Sequence, residues 1–207
     1  KLTKAPNRQV YNAILKALMK LEDPLSAEVW MERMRSSGFP PNAESWTLLT
    51  RAYAMVDDEH GALGALEAMK AEGTMPGVAE YNTMMMLYAR RGDQANTEIW
   101  FNRCRSAGLM LSEASFIAMI HVSLRNGKTQ SAVKWLQMMI NSGLHPQHWP
   151  FLIAIHVSQE EDSQLTVSDA LSCAEEMMKA IVHSKVRPTR ITQIYFNKLA
   201  AMGGQRE

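Results

Sequence analysis

The stretch RQVYNAILKALMKLEDPLSAEVWMERMRSSGFPPN at residues 8–42 decides the fold, because its pattern recurs along the chain at intervals of 35 residues. One aromatic residue marks each copy: Tyr11, Trp46, Tyr81, Phe116 and Phe151. Glycines keep the same interval: Gly38, Gly73, Gly108 and Gly143. Two series that share a period of this length are typical of stacked structural repeats.

Each copy carries the start and stop signals of two helices. Asp23 followed by Pro24 indicates a helix start, because a short acidic side chain caps free N–H groups and proline suits the first turn. The equivalent residues in the next two copies are Asp58 and Asp93. This second helix is expected to end near Gly38, where glycine can adopt a left-handed backbone, and Asn42 can cap the helix that follows.

The sequence therefore predicts an all-α fold, an α-solenoid superhelix of stacked helical hairpins in 35-residue repeats. A single hairpin cannot bury its apolar faces alone, so neighbouring hairpins must stack. Residues at equivalent places in successive repeats form a column, and one apolar column contains Met34, Met69, Cys104 and Met139. The expected ranges are an N-terminal extension at 1–7, repeats at 8–42, 43–77, 78–112, 113–147 and 148–189 with an acidic insertion near 159–165, and a capping helix with a tail at 190–207.

Composition excludes several classes of protein without naming a partner. The 207 residues include 22 Lys and Arg against 21 Asp and Glu, a formal net charge of +1. No apolar run approaches the roughly 18 residues that a membrane-spanning helix needs. Two cysteines argue against a disulfide scaffold and against a zinc site built from four cysteines.

The distribution of charge along the first helices is more informative than the total. Side chains three and four residues apart share a helical face. On the face that follows each repeat aromatic, one acid, Glu44, is outnumbered by cations and histidines: Lys16, Lys20, Arg51, Arg90, Arg125, His121 and His156. Stacked hairpins would join these faces into a basic stripe that fits an anionic polymer. The alternative is that the helix dipole alone favours cations near the C-termini, as at Lys20, Arg90 and Arg125.

No pattern of catalysis or metal binding emerges. Cys104 and Cys173 lie among apolar residues and are expected to be core residues. His121 and His156 have no carboxylate or cysteine nearby at ligand spacing, so neither is expected to bind a metal. No phosphate-binding glycine loop or nucleophile motif occurs. We therefore expect no catalytic residue, no metal, no cofactor and no small-molecule substrate.

These repeats resemble the pentatricopeptide repeat family over residues 8–189. The resemblance lies in the period of 35, in the pairs Tyr11-Asn12 and Tyr81-Asn82 that open first helices, and in the methionine, glycine and proline columns that close second helices. Tetratricopeptide repeats have similar hairpins but a period of about 34. The resemblance implies an α-solenoid of mitochondria or chloroplasts that binds single-stranded RNA, one repeat to one base.

The resemblance also implies roles for particular residues. The base-selecting pairs would be Asn12 with Asn42, Thr47 with Gly77, Asn82 with Ser112, Ile117 with Gln147, and Leu152 with Thr189. Lys20, Arg90 and Arg125 would contact phosphate. Because Ile117 and Leu152 cannot hydrogen-bond a base, base specificity is expected to be weak. In the alternative interpretation, Asn42, Ser112 and Thr189 are only helix caps, and Asn12 and Asn82 are only solvated helix residues.

Two functions remain open at this point. The first is an organellar RNA-binding adaptor that holds single-stranded RNA on the basic face. The second is a structural scaffold that binds protein subunits within a large organellar assembly. The candidate RNA-binding residues are Asn12, Asn42, Thr47, Asn82, Ser112, Lys16, Lys20, Arg51, Arg90 and Arg125.

Overall fold

The structure, a computed structural model, describes residues 7–184 and 187–203, and these residues form eleven helices and no strand. The helices are α1 (Arg8–Lys20), α2 (Pro24–Ser36), α3 (Ala43–Met55), α4 (Glu59–Ala71), α5 (Val78–Arg90), α6 (Gln94–Ser106), α7 (Glu113–Arg125), α8 (Thr129–Asn141), α9 (Trp149–Val157), α10 (Val167–His183) and α11 (Arg190–Gly203). The expected all-α fold is confirmed. Residues 1–6 of the expected extension and residues 204–207 of the expected tail lie outside the described residues.

The period of the sequence is also the period of the helices. Each helix from α1 to α8 has 13 residues. The first helices of successive hairpins start 35 residues apart, at Arg8, Ala43, Val78 and Glu113. The second helices keep the same interval, from Pro24, Glu59, Gln94 and Thr129. A residue's place in the sequence repeat therefore fixes its place on a helix.

Aspartate caps start three of the second helices, as predicted. The side chains accept backbone N–H groups at 2.9 to 3.0 Å: Asp23 from Ser26, Asp58 from Gly61, and Asp93 from Asn96. Hydrogen bonds from Ser26 and from Asn96 lower the pKa of Asp23 and of Asp93 below the ordinary value of 3.8. The caps therefore stabilise the helix starts most when the carboxyl groups are ionised.

Left-handed glycines end the second helices, which confirms the expected stop signal. Gly38 has φ +80°, and its N–H donates to the Arg35 carbonyl at 2.9 Å. The N–H of Phe39 donates to the Met34 carbonyl at 3.0 Å. These two bonds satisfy carbonyls that the helix itself leaves free. Equivalent glycines with φ between +71° and +78° follow: Gly73, Gly108 and Gly143.

The chain divides into two compact units, Lys1–Leu87 and Tyr88–Glu207, with the division inside α5. In the first unit α1 packs against α2 and α3, and α3 packs against α4. The repeat aromatics Tyr11 and Trp46 are buried between these helices, and the methionine column contributes Met34 and Met69 with no exposed surface. These members of the aromatic and methionine columns are therefore core residues.

In the second unit α7 packs against α6, α8 and α9, and α8 packs against α10. Phe116, Phe151, Cys104 and Met139 continue the buried columns. Residues 158–166 form the connection between α9 and α10, and α11 packs against both of those helices. Among the described residues, no helix is both long and apolar enough to cross a membrane.

Candidate functional site

A buried hydrogen-bond network joins α1 to the start of α3. The Asn12 side chain is at its centre and the residue is 6% exposed. Its amide N–H groups donate to Glu44 Oε2 at 2.6 Å and to Asn42 Oδ1 at 3.4 Å, and its Oδ1 accepts from Ser45 Oγ at 2.7 Å. The interpretation of Asn12 as a solvated helix residue is therefore wrong, because the start of α3 lies against it.

Asn42 has two roles in this network. Its Oδ1 accepts the Ser45 N–H at 3.0 Å, so it caps α3, as the alternative interpretation expected. The same oxygen faces the Asn12 amide. The structure therefore brings together Asn12 and Asn42, the first pair implied by the resemblance. Both side chains form hydrogen bonds within the protein, which join α1 to the start of α3.

A buried glutamate connects the second implied pair, Thr47 and Gly77. The Thr47 hydroxyl contacts the Ala43 carbonyl at 2.8 Å and also contacts the Glu80 carboxylate. The other oxygen of Glu80 accepts the Gly77 N–H at 2.8 Å, and Glu80 is only 3% exposed. Sequence analysis missed Glu80. The available signal was that Glu80 is in the same column as Ser45 and Ser115, next to a repeat aromatic.

The remaining implied pairs are less closely defined. Asn82 is half-buried in the first unit, whereas Ser112 is the N-cap residue of α7 in the second unit. The Ser112 N–H donates to Ser115 Oγ at 3.1 Å. Thr189 Oγ1 accepts the Thr192 N–H at 3.1 Å and so caps α11.

Exposed cations lie on the first helices of the first unit. Lys16 and Lys20 on α1 and Arg51 on α3 are exposed, and none of them forms an ion pair within the residues that the structure describes. The acid on this face, Glu44, accepts the Asn12 amide. Three cations therefore remain exposed to solvent beside one carboxylate, which gives this face a net positive charge.

The first helices of the second unit differ, because an acid lies against their cations. Arg125 Nη1 contacts Glu160 Oε2, and His156 Nδ1 donates to Glu160 Oε1 at 2.9 Å. The expectation that His156 has no carboxylate nearby is wrong. Glu160 lies 35 residues after Arg125, but it falls in the expected insertion, so the comparison of columns did not include it among the acids. Arg90 is exposed in the last turn of α5.

His121, in the same column as Lys16, is buried rather than presented to solvent. It is 8% exposed, and its Nδ1 lies 3.2 Å from the Ala89 carbonyl, to which it donates. Burial lowers the pKa of His121 from 6.5 to about 4, and the charge of Arg125 acts in the same direction. His121 is therefore neutral at physiological pH and adds no charge to this face.

An aromatic stack lies at the start of α9. The ring of His148 is stacked between Trp149, at 5.0 Å and 25°, and Tyr195, at 5.3 Å and 14°. Trp149 is 42% exposed. One aromatic side chain of the second unit therefore combines a fixed ring orientation with an accessible surface.

The two cysteines are buried, as the column pattern predicted for Cys104. Burial raises the pKa of Cys104, and it raises the pKa of Cys173 to about 12. Both thiols are therefore protonated and poorly nucleophilic at neutral pH. In the part of the chain that the structure describes, no group of three or more His, Cys, Asp or Glu side chains could hold a metal ion.

Comparison with protein families identifies these repeats. The pentatricopeptide repeat domain matches residues 29–91, and the PPR repeat matches residues 9–39 and 114–144. The chain belongs to the pentatricopeptide repeat family. No curated protein matches it in sequence.

Solved pentatricopeptide repeat proteins have a similar fold. PPR10 in complex with an 18-nt psaJ RNA element superimposes with a TM-score of 0.62 at 19% identity, over 94% of this chain and 33% of that one. The present chain therefore spans about a third of the length of PPR10. The PPR domain of Arabidopsis thaliana protein-only RNase P 1 in complex with tRNA superimposes with a TM-score of 0.58 at 15% identity, over 93% of this chain and 98% of that one. Nuclear proteinaceous RNase P 2 from A. thaliana superimposes with a TM-score of 0.56 at 18% identity, over 77% of this chain and 36% of that one.

Proposed function

We propose that this pentatricopeptide repeat protein binds single-stranded RNA through phosphate contacts on the first helices of its first unit. The observation that carries the proposal is the exposure of Lys16, Lys20 and Arg51 with no ion-pair partner among the described residues. Lysine and arginine that are not neutralised within a protein can replace the counterions of a phosphate backbone. Membership of the family and the RNA-bound structures of similar fold support RNA as the polyanion that is bound.

The proposed binding has weak base specificity. The Asn12 amide donates to Glu44 and Asn42, and its oxygen accepts from Ser45. The Thr47 hydroxyl faces Glu80 and the Ala43 carbonyl. A base could use these side chains only by displacing bonds that already satisfy them, so it would gain little net energy from the exchange. Affinity is then expected to come mainly from phosphates.

The proposed role is one of binding, in a mitochondrion or a chloroplast, as an adaptor with no catalytic step of its own. The compartment follows from the family resemblance. Fractionation of cells with an antibody against the native protein tests it, and recovery outside both organelles would contradict it.

The test of RNA binding is a charge reversal with a matched control. Lys16→Glu with Arg51→Glu removes two phosphate contacts, and the control, Lys70→Glu with Lys134→Glu, makes the same net charge change on second helices. Binding of a labelled oligouridine is measured by fluorescence anisotropy over a range of salt concentrations. The Lys16 and Arg51 variant should bind at least about 25-fold more weakly at roughly 0.1 M salt, because each single-strand phosphate contact adds about 0.7 to the salt slope.

Two results would contradict the proposal. One is the absence of salt-dependent binding by the wild-type protein. The other is an equal loss of affinity in the control variant, which would mean that the total charge rather than the first-helix face attracts the RNA.

A second candidate function is protein binding within a large assembly. Leu21, Leu25 and Val29, at the end of α1 and along α2, are 74%, 70% and 53% exposed. Leu25 and Val29 lie four residues apart on α2 and share one face, and an exposed apolar pair of this kind fits a contact with another protein. Leu25→Glu with Val29→Glu should then release the protein from a particle that resists RNase. Release by RNase alone would favour RNA binding.

A further inference from the structure

The connection between α9 and α10 is fastened to the C-terminal end of α7. We refer to residues 158–166 as the acidic loop, because they contain Glu160, Glu161 and Asp162. The Gln164 N–H donates to the Arg125 carbonyl at 3.1 Å. Gly127, with φ +66°, lets the loop approach closely: an added Cβ there would lie 3.2 Å from the Gln164 carbonyl oxygen. Backbone contacts therefore hold the loop in place beside α7.

This position places the Glu160 carboxylate in contact with two side chains of the first helices, Arg125 and His156. One of its oxygens contacts the Arg125 guanidinium, and the other accepts from His156 Nδ1 at 2.9 Å. The Arg125 side chain is only 18% exposed and that of Glu160 is 23% exposed. Arg125 occupies the column of Lys20, which is exposed and has no ion pair within the described residues. The acidic loop thus neutralises Arg125, one of the three cations, with Lys20 and Arg90, in this column.

We propose that Glu160 occupies the place at which Arg125 would otherwise hold an RNA phosphate, and that it excludes the RNA strand from the end of α7. This inference rests on the proposed RNA binding. A guanidinium binds a carboxylate and a phosphate through the same N–H groups, so the two ligands compete. Glu161 and Asp162 are exposed beside it and repel a polyanion as well. Glu160 is then a residue that determines where along the protein RNA is bound.

The test compares two variants that carry the same change of net charge. Glu160→Gln removes the competing carboxylate, whereas Glu161→Gln removes a neighbouring exposed one that makes no described contact with Arg125. Anisotropy of a labelled oligouridine gives the dissociation constant at several salt concentrations. Glu160→Gln should bind about fivefold more tightly at roughly 0.1 M salt, with a salt slope steeper by about 0.7, because it frees one phosphate contact. Glu161→Gln should change the affinity by less than about twofold, since no cation is released.

The role of Arg125 is tested by adding Arg125→Ala to each background. In the wild-type protein this change should leave RNA affinity nearly unaltered, because Glu160 already holds the guanidinium. In the Glu160→Gln background it should remove the gain in affinity. Non-additivity of this kind is the signature of two groups that act on each other.

The other outcomes distinguish a failure of this inference from a failure of the proposed RNA binding. Equal binding by Glu160→Gln and Glu161→Gln overturns this inference and leaves RNA binding intact if the Lys16 and Arg51 variant still binds more weakly. No binding by the wild-type protein or by Glu160→Gln overturns both. Should circular dichroism show that Glu160→Gln is unfolded, Arg125→Ala alone is decisive. A fivefold loss of affinity in that variant would mean that Arg125 already contacts RNA.

Discussion

Protonation of His121 should destabilise the protein in mild acid. The side chain is 8% exposed, and burial is the main reason that its pKa falls from 6.5 to about 4. The charges of Arg125, His156 and Arg90 lower the pKa further, while the hydrogen bond to the Ala89 carbonyl raises it. Between these two pKa values the unfolded chain binds a proton that the folded protein excludes. Stability must therefore fall as the pH falls through this window.

The size of the effect follows from the two pKa values. Each unit of difference corresponds to about 1.4 kcal/mol, so the complete loss is about 3 kcal/mol when the pH drops below both values. Between about pH 7.5 and about pH 5 the expected loss is about 2 kcal/mol. This is a large share of the roughly 5 to 15 kcal/mol that stabilises a typical domain.

The assay is urea unfolding of the wild-type protein and of His121→Asn across this pH range. The asparagine amide can replace Nδ1 as donor to the Ala89 carbonyl but does not titrate. Between about pH 7.5 and about pH 5, the free energy of unfolding of His121→Asn should therefore fall by about 2 kcal/mol less than that of the wild-type protein. His60→Asn, a change at an exposed histidine, is the control and should keep the wild-type pH dependence because His121 remains.

Parallel pH profiles for wild type and His121→Asn would refute this reasoning. Proton NMR offers an independent measurement, since the ring signals of His121 should titrate near the acid value of about 4. Titration near 6.5 would show that the side chain is not desolvated as described.

Two further predictions concern stability. Gly61→Ala should destabilise the protein by about 1 to 3 kcal/mol in urea unfolding, because the added Cβ would overlap the Tyr53 ring and force it to move. Gly64→Ala on the same helix has nothing within 4 Å of its Cβ and should stabilise by roughly 0.5 to 1 kcal/mol, so equal effects of the two changes would contradict this packing. Asp93→Ala should cost about 1 kcal/mol at neutral pH through loss of the helix cap. Hydrogen bonds from Asn96 lower the folded-state pKa of Asp93, so this difference should shrink as the pH falls below about 4, and a constant difference would argue against an ionised cap.

The helices could be predicted from the sequence because their signals are local. Asp23 and Gly38 act through bonds to residues only a few positions away, so their identity and spacing are enough to place a helix start and a helix end. Repetition then reinforces each local signal at intervals of 35 residues. The buried methionine column that includes Met34 follows from the same argument, because its members lie at the same place on the apolar face of equivalent second helices.

Details of the candidate site were harder to predict because they depend on contacts between elements. Periodicity places Lys16 and His121 in one column but does not reveal that the first is exposed and the second buried. The burial of Asn12 depends on Glu44 and Ser45 from the next hairpin. Glu160 reaches Arg125 from an irregular connection, whose path no repeat pattern specifies.

Equal helix lengths and a constant interval give the four hairpins from α1 to α8 the same backbone plan. Deletion of 35 residues between equivalent positions from α1 to α6 joins one aspartate-capped helix to the place of the next, and it leaves the flanking helices in phase. Such a protein can gain or lose a whole module in one genetic event without rebuilding its interior. The modules that carry an exposed cation in their first helix are then the ones whose number would set the length of the bound strand.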